Sequence, residues 1–203
     1  MTGPTPCHFT CRADHSAELF IVEGKHAANA VNRVRNKNDQ AVLAMQGKVP
    51  NVVRLGLGPR VENNIQVRNL AAVLGVQSNG LPGKDYKRVV LLCDPDADGL
   101  HAVMLLICLF AEAYPALVRD GVLYLCRCPL YLIKNAKCGE DKIAYSDAEL
   151  LHLRNHYGAG QTQRFKGVAS LPAELLHRVC VDPSTRAIRA ISEAECTLSL
   201  IHI

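Results

Sequence analysis

The sequence lacks the long apolar segments that membrane-spanning and secreted chains carry. Its longest apolar run, Ala102–Ala111, is too short to span a bilayer, and the first residues contain no apolar stretch typical of a signal peptide. Hydrophobic residues make up 49% and charged residues 21% of the 203 residues, the balance of an ordinary globular protein with a sizeable core. We therefore expect a cytoplasmic protein that has no membrane partner.

Four further features are missing. The sequence has no internal repeat, no low-complexity tract and no Gly-x4-Gly-Lys-Ser/Thr phosphate loop. No local group of residues offers a catalytic nucleophile beside a base. The first three absences exclude repeat proteins, low-complexity chains and P-loop ATPases.

A disulfide framework is also excluded, although the chain has nine cysteines. They are scattered, odd in number and mostly embedded in apolar segments, which predicts reduced, buried thiols. Two groups contain candidate zinc ligands: Cys7, His8, Cys11 and His15 in one, and Cys126 and Cys128 in the other. Neither group has a common zinc-ligand spacing, so zinc is the weaker alternative.

Apolar segments alternate with helical patterns along most of the chain. We predict strands at 18–22, 41–45, 88–92 and 122–126, and helices at 27–35, 64–74, from the turn after 98 to 114, 147–156 and 172–179. Asp147 is the predicted cap of the fourth helix. This alternation indicates an α/β fold with a parallel sheet and helices on both faces.

The richest motif is an acidic run directly after the strand at 88–92. Asp94, Asp96 and Asp98 are spaced two residues apart and precede Gly99. On an extended backbone such side chains point to the same side, so we expect the three carboxylates to converge. Their mutual repulsion should raise at least one pKa unless a cation neutralises them. Hard oxygen ligands of this kind suit Mg²⁺.

Two alternatives to this metal site remain open. An EF-hand calcium loop needs a helix before it and a Glu at its twelfth position, where this chain has Leu105. An acidic turn without any metal is the other.

Glu23 follows the first predicted strand and should share an edge of the sheet with the acidic run, since ligands of parallel sheets lie beyond the carboxyl ends of the strands. It is either a fourth metal ligand or a general acid/base. The region from Gly24 to Lys84 has nine Lys/Arg against two acidic residues. Such a surface is suited to phosphate, and a solvated face without a partner is the alternative that charge alone leaves open.

These motifs resemble the TOPRIM region and tail of bacterial type IIA topoisomerase B subunits, the gyrase B and topoisomerase IV B family. The resemblance covers roughly residues 11–193 and has six anchors in the family's order: 18–24 (Glu-Leu-Phe-Ile-Val-Glu-Gly), 46–52 (Gln-Gly-Lys with Asn-Val), 94–101 (Asp-x-Asp-x-Asp-Gly-x-His), 129–131 (Pro-Leu-Tyr), 163–167 (Gln-Arg-Phe-Lys-Gly) and 182–186 (Asp-Pro-x-Thr-Arg). The resemblance implies a TOPRIM-type Rossmann-like sheet at 17–134, preceded by a lead-in at 1–16 and followed by a small, mainly helical tail subdomain at 135–197.

The resemblance also implies a chemistry. Glu23 acts as the catalytic acid/base in DNA cleavage and religation and is a metal ligand together with Asp94, Asp96 and Asp98, which hold one or two Mg²⁺ ions. Mn²⁺ or Ca²⁺ are expected substitutes. The partners are double-stranded DNA and the A subunit, which carries the attacking tyrosine, in a heterotetramer. ATP acts only through family domains that this sequence does not contain.

The same resemblance assigns DNA-binding residues and supporting residues. Lys48, Arg164 and Lys166 are predicted phosphate contacts. His101 either orients a metal-bound water or carboxylate or packs at a helix start. Where the family has Asp-Ser-Ala-Gly-Gly after Glu23-Gly24, this chain has Lys-His-Ala-Ala-Asn at 25–29, and we expect Lys25 to lower the pKa of Glu23.

Three hypotheses about function stay open: the TOPRIM half of a type IIA topoisomerase cleavage site, a free-standing TOPRIM nuclease, and a drifted, non-catalytic module that binds DNA or the A subunit. The third is suggested by Lys25 and His26, by Val-Ala-Ser at 168–170 in place of the family's Leu-Gly-Glu, and by the missing ATPase region. The last six residues, 198–203, match the translation of a common sequencing adapter, so we expect an artefactual end without fold or function.

Overall fold

The computed structural model describes residues 8–11, 17–75, 86–134, 139–158 and 160–196. The strands of its main sheet are β1 (His8–Phe9), β2 (Glu18–Glu23), β3 (Gln40–Met45), β4 (Arg88–Cys93), β5 (Leu123–Arg127) and β9 (Ile188–Ala190). These six strands lie in the order β1-β3-β2-β4-β5-β9. The four central strands are parallel, and the two edge strands β1 and β9 run antiparallel to their neighbours. The predicted α/β fold with a parallel sheet is confirmed.

Helices cover both faces of this sheet. They are α1 (Gly24–Val34), α2 (Val52–Leu55), α3 (Pro59–Glu62), α4 (Ile65–Leu74), α5 (Ala97–Ala113) and α6 (Pro115–Arg119). Alternate residues of β2 face opposite layers: Leu19 and Ile21 pack with α4 and α5, whereas Phe20 and Val22 pack with α1 and the tail. This double burial explains why the central strands are continuously apolar in sequence rather than alternating.

The tail contains a second, smaller antiparallel sheet. The elements of the tail are β6 (Tyr131–Lys134), β7 (Lys142–Ala144), α7 (Asp147–Tyr157), β8 (Gln161–Arg164), a 3-10 turn (Val168–Ser170), α8 (Ala173–Leu176) and a π turn (His177–Val181). The three strands lie in the order β7-β6-β8. The predicted domain boundary at 134/135 remains a prediction. The two sheets do not divide at this position. Strand β6, which precedes the boundary, belongs to the second sheet, and strand β9, which follows it, belongs to the main sheet.

A buried ionic network fastens the tail to the start of β2. Arg186, almost fully buried, donates from Nη1 to Oε2 of Glu18 at 2.7 Å and to the carbonyl of Val181 at 3.0 Å. Gln40 donates to the same two groups, each at 3.0 Å. Burial raises the pKa of Glu18, but hydrogen bonds from Arg186 and Gln40 outweigh it and hold that pKa below its usual value. Arg186 therefore ties the tail to Glu18, a carboxylate that Arg88 of β4 also pairs with at 2.9 Å from within the main sheet.

Several local predictions need correction. Helix α1 begins at Gly24 rather than near residue 27. Ser146, not Asp147, caps α7 by accepting from the amide of Glu149 at 3.1 Å, while Asp147 accepts from the hydroxyl of Tyr131 at 2.5 Å. The small strands β1, β6, β7, β8 and β9 were not predicted, since they are too short to produce a periodic pattern.

Among the described residues, no helix combines the length and apolarity needed to cross a membrane. Some residues for which we made predictions from the sequence lie outside the described part of the chain: Cys7, His15 and the segment 198–203.

Candidate metal and nucleic-acid site

Glu23 and Asp94 meet at the carboxyl edge of the main sheet. Strands β2 and β4 are parallel neighbours paired from Glu18–Arg88 to Val22–Leu92, so Glu23 ends β2 where Asp94 directly follows β4. Gly24, with φ +76°, then turns the chain into α1 immediately after the Glu23 carboxylate. Two acidic side chains separated by 71 positions in sequence thus share one edge of the sheet, as the sequence predicted.

The electrostatics of this pair are those of an uncompensated anionic site. Burial and then the charges of Asp94 and Asp96 raise the pKa of Glu23, and Lys48 partly opposes this rise. Burial and the charge of Asp96 likewise raise the pKa of Asp94, against a hydrogen bond from a backbone amide that lowers it. The predicted elevation of at least one carboxyl pKa is confirmed, with burial as the larger cause.

The predicted effect of Lys25 on Glu23 is wrong. The pKa of Glu23 is raised, not lowered, and the lysine that acts on it is Lys48. Lys25 is exposed in the first turn of α1. Solvent screens an exposed charge of this kind.

The extended backbone continues to Asp96 but not to Asp98, so the premise for the convergence of all three carboxylates is wrong. Helix α5 begins at Ala97, and Asp96 is its N-cap, accepting from the amide of Gly99 at 2.7 Å. Asp98 therefore lies in the first helical turn, where its side chain is 83% exposed. The EF-hand alternative fails in the same segment, because a strand precedes the acidic run and Leu105 is buried in α5.

Lys48 connects Asp98 to His101. Its Nζ lies 2.8 Å from Oδ1 of Asp98 and 3.2 Å from Nδ1 of His101, and this ion pair lowers the pKa of Asp98. His101 is exposed and bonded to a lysine, so it is not simply packed at the helix start. The loop before Lys48 is held by buried Gln66, which accepts from the amide of Gln46 at 2.9 Å and donates to its carbonyl at 3.1 Å.

The tail reaches the acidic site through its backbone. The amide of Val168 donates to Oδ1 of Asp94 at 2.7 Å, and Gly167 packs so closely that a Cβ there would lie 2.7 Å from the Asp94 carboxyl atoms. Ser170 braces this turn by accepting from the amides of Lys166 and Gly167 at 3.1 and 3.2 Å. The Oδ1 atom of Asp94 is thereby held by the turn that follows β8, a strand of the second sheet.

The remaining predicted DNA contacts lie on the same tail segment. Lys166 is exposed and directly precedes Gly167. Arg164 ends β8, where its guanidinium lies over the ring of Tyr131, with 5.9 Å between the guanidinium carbon and the ring centre. The structure therefore brings Asp94, Asp96, Asp98 and Lys48 close enough to Glu23 to act on its pKa. Lys166 is placed only by its position in the chain before Gly167, and Arg164 lies further along β8.

The spacing of the candidate ligands counts against a preformed metal site, whereas their chemistry suits a divalent cation. In the part of the chain that the structure describes, no three His, Cys, Asp or Glu residues are grouped closely enough to hold a metal ion. This also counts against zinc at Cys126, whose thiol contacts the carbonyl of Cys180 at 3.8 Å. The donor chemistry of Glu23, Asp94 and Asp96 nonetheless fits a hard divalent cation, since the raised pKa values of Glu23 and Asp94 partly reflect negative charge that such a cation neutralises.

Sequence reasoning missed three contributors: the Val168 amide, the Gln66 side chain and Gly167 as a close neighbour of Asp94. Of these three, only Gly167 could have been noticed in the sequence, because it is the last residue of the motif at 163–167. A backbone amide has no sequence signature.

Comparison with known proteins identifies one family and a set of relatives. Residues 18–124, more than half of the chain, match the Toprim domain family. The chain is 34% identical to the DNA gyrase B subunit of Archaeoglobus fulgidus over 84% of its length, and 34% identical to the DNA topoisomerase 4 B subunit of Haemophilus influenzae over 84%. It is 33% identical to the DNA gyrase B subunit of Thermus thermophilus over 86%. It spans only 27% of the first relative and 28% of the other two.

Proposed function

This chain belongs to the Toprim domain family, and from that premise we propose that it supplies the metal-binding half of a DNA cleavage and religation site in a type IIA topoisomerase. The other half, with the attacking tyrosine, comes from an A subunit. The resemblance to gyrase B and topoisomerase IV B subunits is confirmed by relatives that match most of the chain. Because the chain spans about a quarter of those relatives, the activity of the whole assembly belongs to this proposal.

The observation that carries the proposal is the meeting of Glu23 and Asp94 at adjoining strand ends, both with raised pKa values. A carboxyl group whose pKa is raised is more often protonated than an ordinary glutamate, and can donate that proton to a leaving oxygen. Glu23 is thus suited to protonate the 3′-oxygen when the deprotonated tyrosine oxygen of the A subunit attacks phosphorus and the P–O3′ bond breaks. In religation the same carboxylate takes the proton back.

Toprim domains generally bind Mg²⁺. Glu23, Asp94 and Asp96 would hold such an ion, which stabilises negative charge on the scissile phosphate when bound. The Val168 amide fixes Oδ1 of Asp94 and leaves Oδ2 available as a ligand. Asp98 is the weakest member of the predicted ligand set, since its carboxylate pairs with Lys48.

The experiment mixes the chain with the A subunit of the same organism and supercoiled plasmid in Mg²⁺ or Ca²⁺. Linear DNA that appears after protein denaturation, needs both chains and disappears in Glu23→Gln supports the proposal. Glu62→Gln, an exposed glutamate at the end of α3, is the matched control and should cut normally. Cleavage by the chain without the A subunit would instead indicate a free-standing nuclease.

A second candidate is a non-catalytic module that binds DNA or the A subunit. It is favoured by the Lys48–Asp98 ion pair, which occupies a predicted ligand. It predicts DNA binding that survives Asp96→Ala, together with no cleavage by the two-chain mixture.

A further inference from the structure

The outer face of α1 forms one wall of an open polar groove. The groove is lined by His26, Asn29, Asn32, Arg33 and Ala169. Residues 27, 28, 30 and 31 of the same helix are buried against the main sheet and the tail, so the polar residues face outward by the ordinary helical period. The opposite wall is the 3-10 turn at Val168–Ser170.

The chemistry of the lining is that of an anion site. It contains no acidic side chain among the described residues, and Arg33 carries a positive charge. The Oδ1 atom of Asn32 accepts from Arg35 at 2.8 Å, which leaves the amide nitrogen of Asn32 as a donor. Within the described residues, the side chains of His26, Asn29 and Arg33 make no hydrogen bond or ion pair. The groove thus presents donors that have no partner in the described part of the chain.

The position of the groove relates it to the acidic site. Its first wall begins directly after Glu23, and its second wall begins with Val168, whose amide holds Asp94. From His26 to Arg33 the helix rises about 10 Å, which equals about three nucleotide steps of roughly 3.4 Å. A DNA strand that enters the acidic site therefore has a donor-lined path along α1.

We propose that this groove binds phosphate groups of the DNA strand next to the acidic site, with Arg33 as the charged contact and His26 and Asn29 as hydrogen-bond donors. This contact rests on the proposed function, since it is a further part of the surface that holds the same substrate. His26 and Asn29 stand where the related family has Ser and Gly, so this contact belongs to the departure of the chain from its relatives.

The test measures binding of the full chain to a labelled DNA duplex by fluorescence anisotropy across a series of KCl concentrations. Arg33→Ala should reduce the slope of log K against log[KCl] by about 0.9 and weaken binding about eightfold at about 0.1 M salt, since one phosphate contact is lost. Arg33→Lys should keep the slope, because it keeps the charge. Asn29→Ala should weaken binding without changing the slope.

Arg119→Ala is the matched control, an exposed arginine on α6 at the opposite layer of the sheet, and should leave slope and affinity unchanged. If Arg33→Ala leaves the slope of log K against log[KCl] unchanged while Lys48→Ala lowers it, the groove does not bind phosphate. The proposed function would still stand in that case. Absence of any salt-dependent DNA binding by the unmodified chain would overturn both.

Discussion

The backbone amide of Val168 donates a 2.7 Å hydrogen bond to Oδ1 of Asp94, a residue 74 positions earlier in the chain. This bond makes the geometry of the acidic site depend on the docking of the tail. A carboxylate that accepts an amide hydrogen bond is both oriented and favoured in its charged form. The tail is therefore part of the site rather than an appendage to it.

Gly167→Ala should impair the site without unfolding the protein. Gly167 has extended backbone with φ 177°, which any residue adopts, but the new Cβ would lie 2.7 Å from the Asp94 carboxyl atoms and displace them. We expect cleavage by the two-chain mixture to fall about 10- to 100-fold. The free energy of unfolding should fall by about 1 kcal/mol, the value of the lost hydrogen bond.

A double-mutant cycle checks the cause. In the Asp94→Ala background the carboxyl group is gone, so Gly167→Ala should have almost no effect on the free energy of unfolding. An equal loss in both backgrounds would contradict the contact between Gly167 and Asp94.

Gly99→Ala should destabilise the fold itself. A Cβ at Gly99 would lie 2.5 Å from the carbonyl oxygen and 3.0 Å from the nitrogen of Asp94, which are backbone atoms and cannot rotate away. We expect the free energy of unfolding in urea to fall by about 1–3 kcal/mol. Leu100→Ala, at an adjacent side chain that is 58% exposed, should change it by less than about 0.5 kcal/mol and serves as the control.

The Glu23 carboxyl should make stability depend on pH in a defined direction. A raised folded-state pKa means that its contribution to stability is present below about pH 4.5, the ordinary value, and is lost as the pH rises through the raised pKa. Glu23→Gln should therefore be more stable than the unmodified chain at about pH 7, and this difference should shrink toward pH 4.5. Urea unfolding at several pH values measures this difference, with Glu62→Gln as the control. A Glu23→Gln variant that is less stable than the unmodified chain at neutral pH would contradict the prediction.

The tail anchor offers the opposite pH dependence. Arg186→Met removes the most buried partner of the Glu18 carboxylate but leaves Arg88 at 2.9 Å and Gln40 at 3.0 Å, so we expect the free energy of unfolding to fall by about 1–3 kcal/mol. Arg189→Met removes an exposed partner of Glu195 and should cost less than about 1 kcal/mol.

The folded-state pKa of Glu18 is lowered, so the contribution of Glu18 to stability is present above about pH 4.5 and is lost as the pH falls. Urea unfolding from neutral to acidic pH should show that loss in the unmodified chain and a weaker one in Arg186→Met.

How far the sequence predicts the site depends on which interactions are local. Glu23 and Asp94 could be identified, because strand ends and acidic motifs leave local patterns and parallel strands bring such ends together. The pairing of Lys48 with Asp98 could not, since it follows from the residue at which α5 begins. One turn of helix instead of extended chain redirects Asp98 toward the loop of Lys48. The same limit applies to Val168, whose backbone amide carries no residue-specific information.

The four predicted metal ligands should differ in their effect on Mg²⁺ binding. An ion that binds only the folded state raises Tm by mass action, so the Mg²⁺-dependent rise in Tm reports its affinity. Asp94→Asn should remove most of that rise, because the amide side chain still accepts from Val168 but no longer carries the charge that favours a cation. Asp98→Asn should remove little of it, since Asp98 is 83% exposed and already paired with Lys48.

The same Asp98→Asn variant should bind DNA more tightly and with a steeper salt dependence, because it removes one exposed negative charge and releases Lys48, a predicted phosphate contact. Fluorescence anisotropy over a KCl series measures this change, and Asp120→Asn, an exposed acidic residue at the end of α6, is the control. Equal losses of Mg²⁺ stabilisation in Asp94→Asn and Asp98→Asn would show that Asp98 exchanges its lysine for the metal, and would restore the ligand set that the sequence predicted.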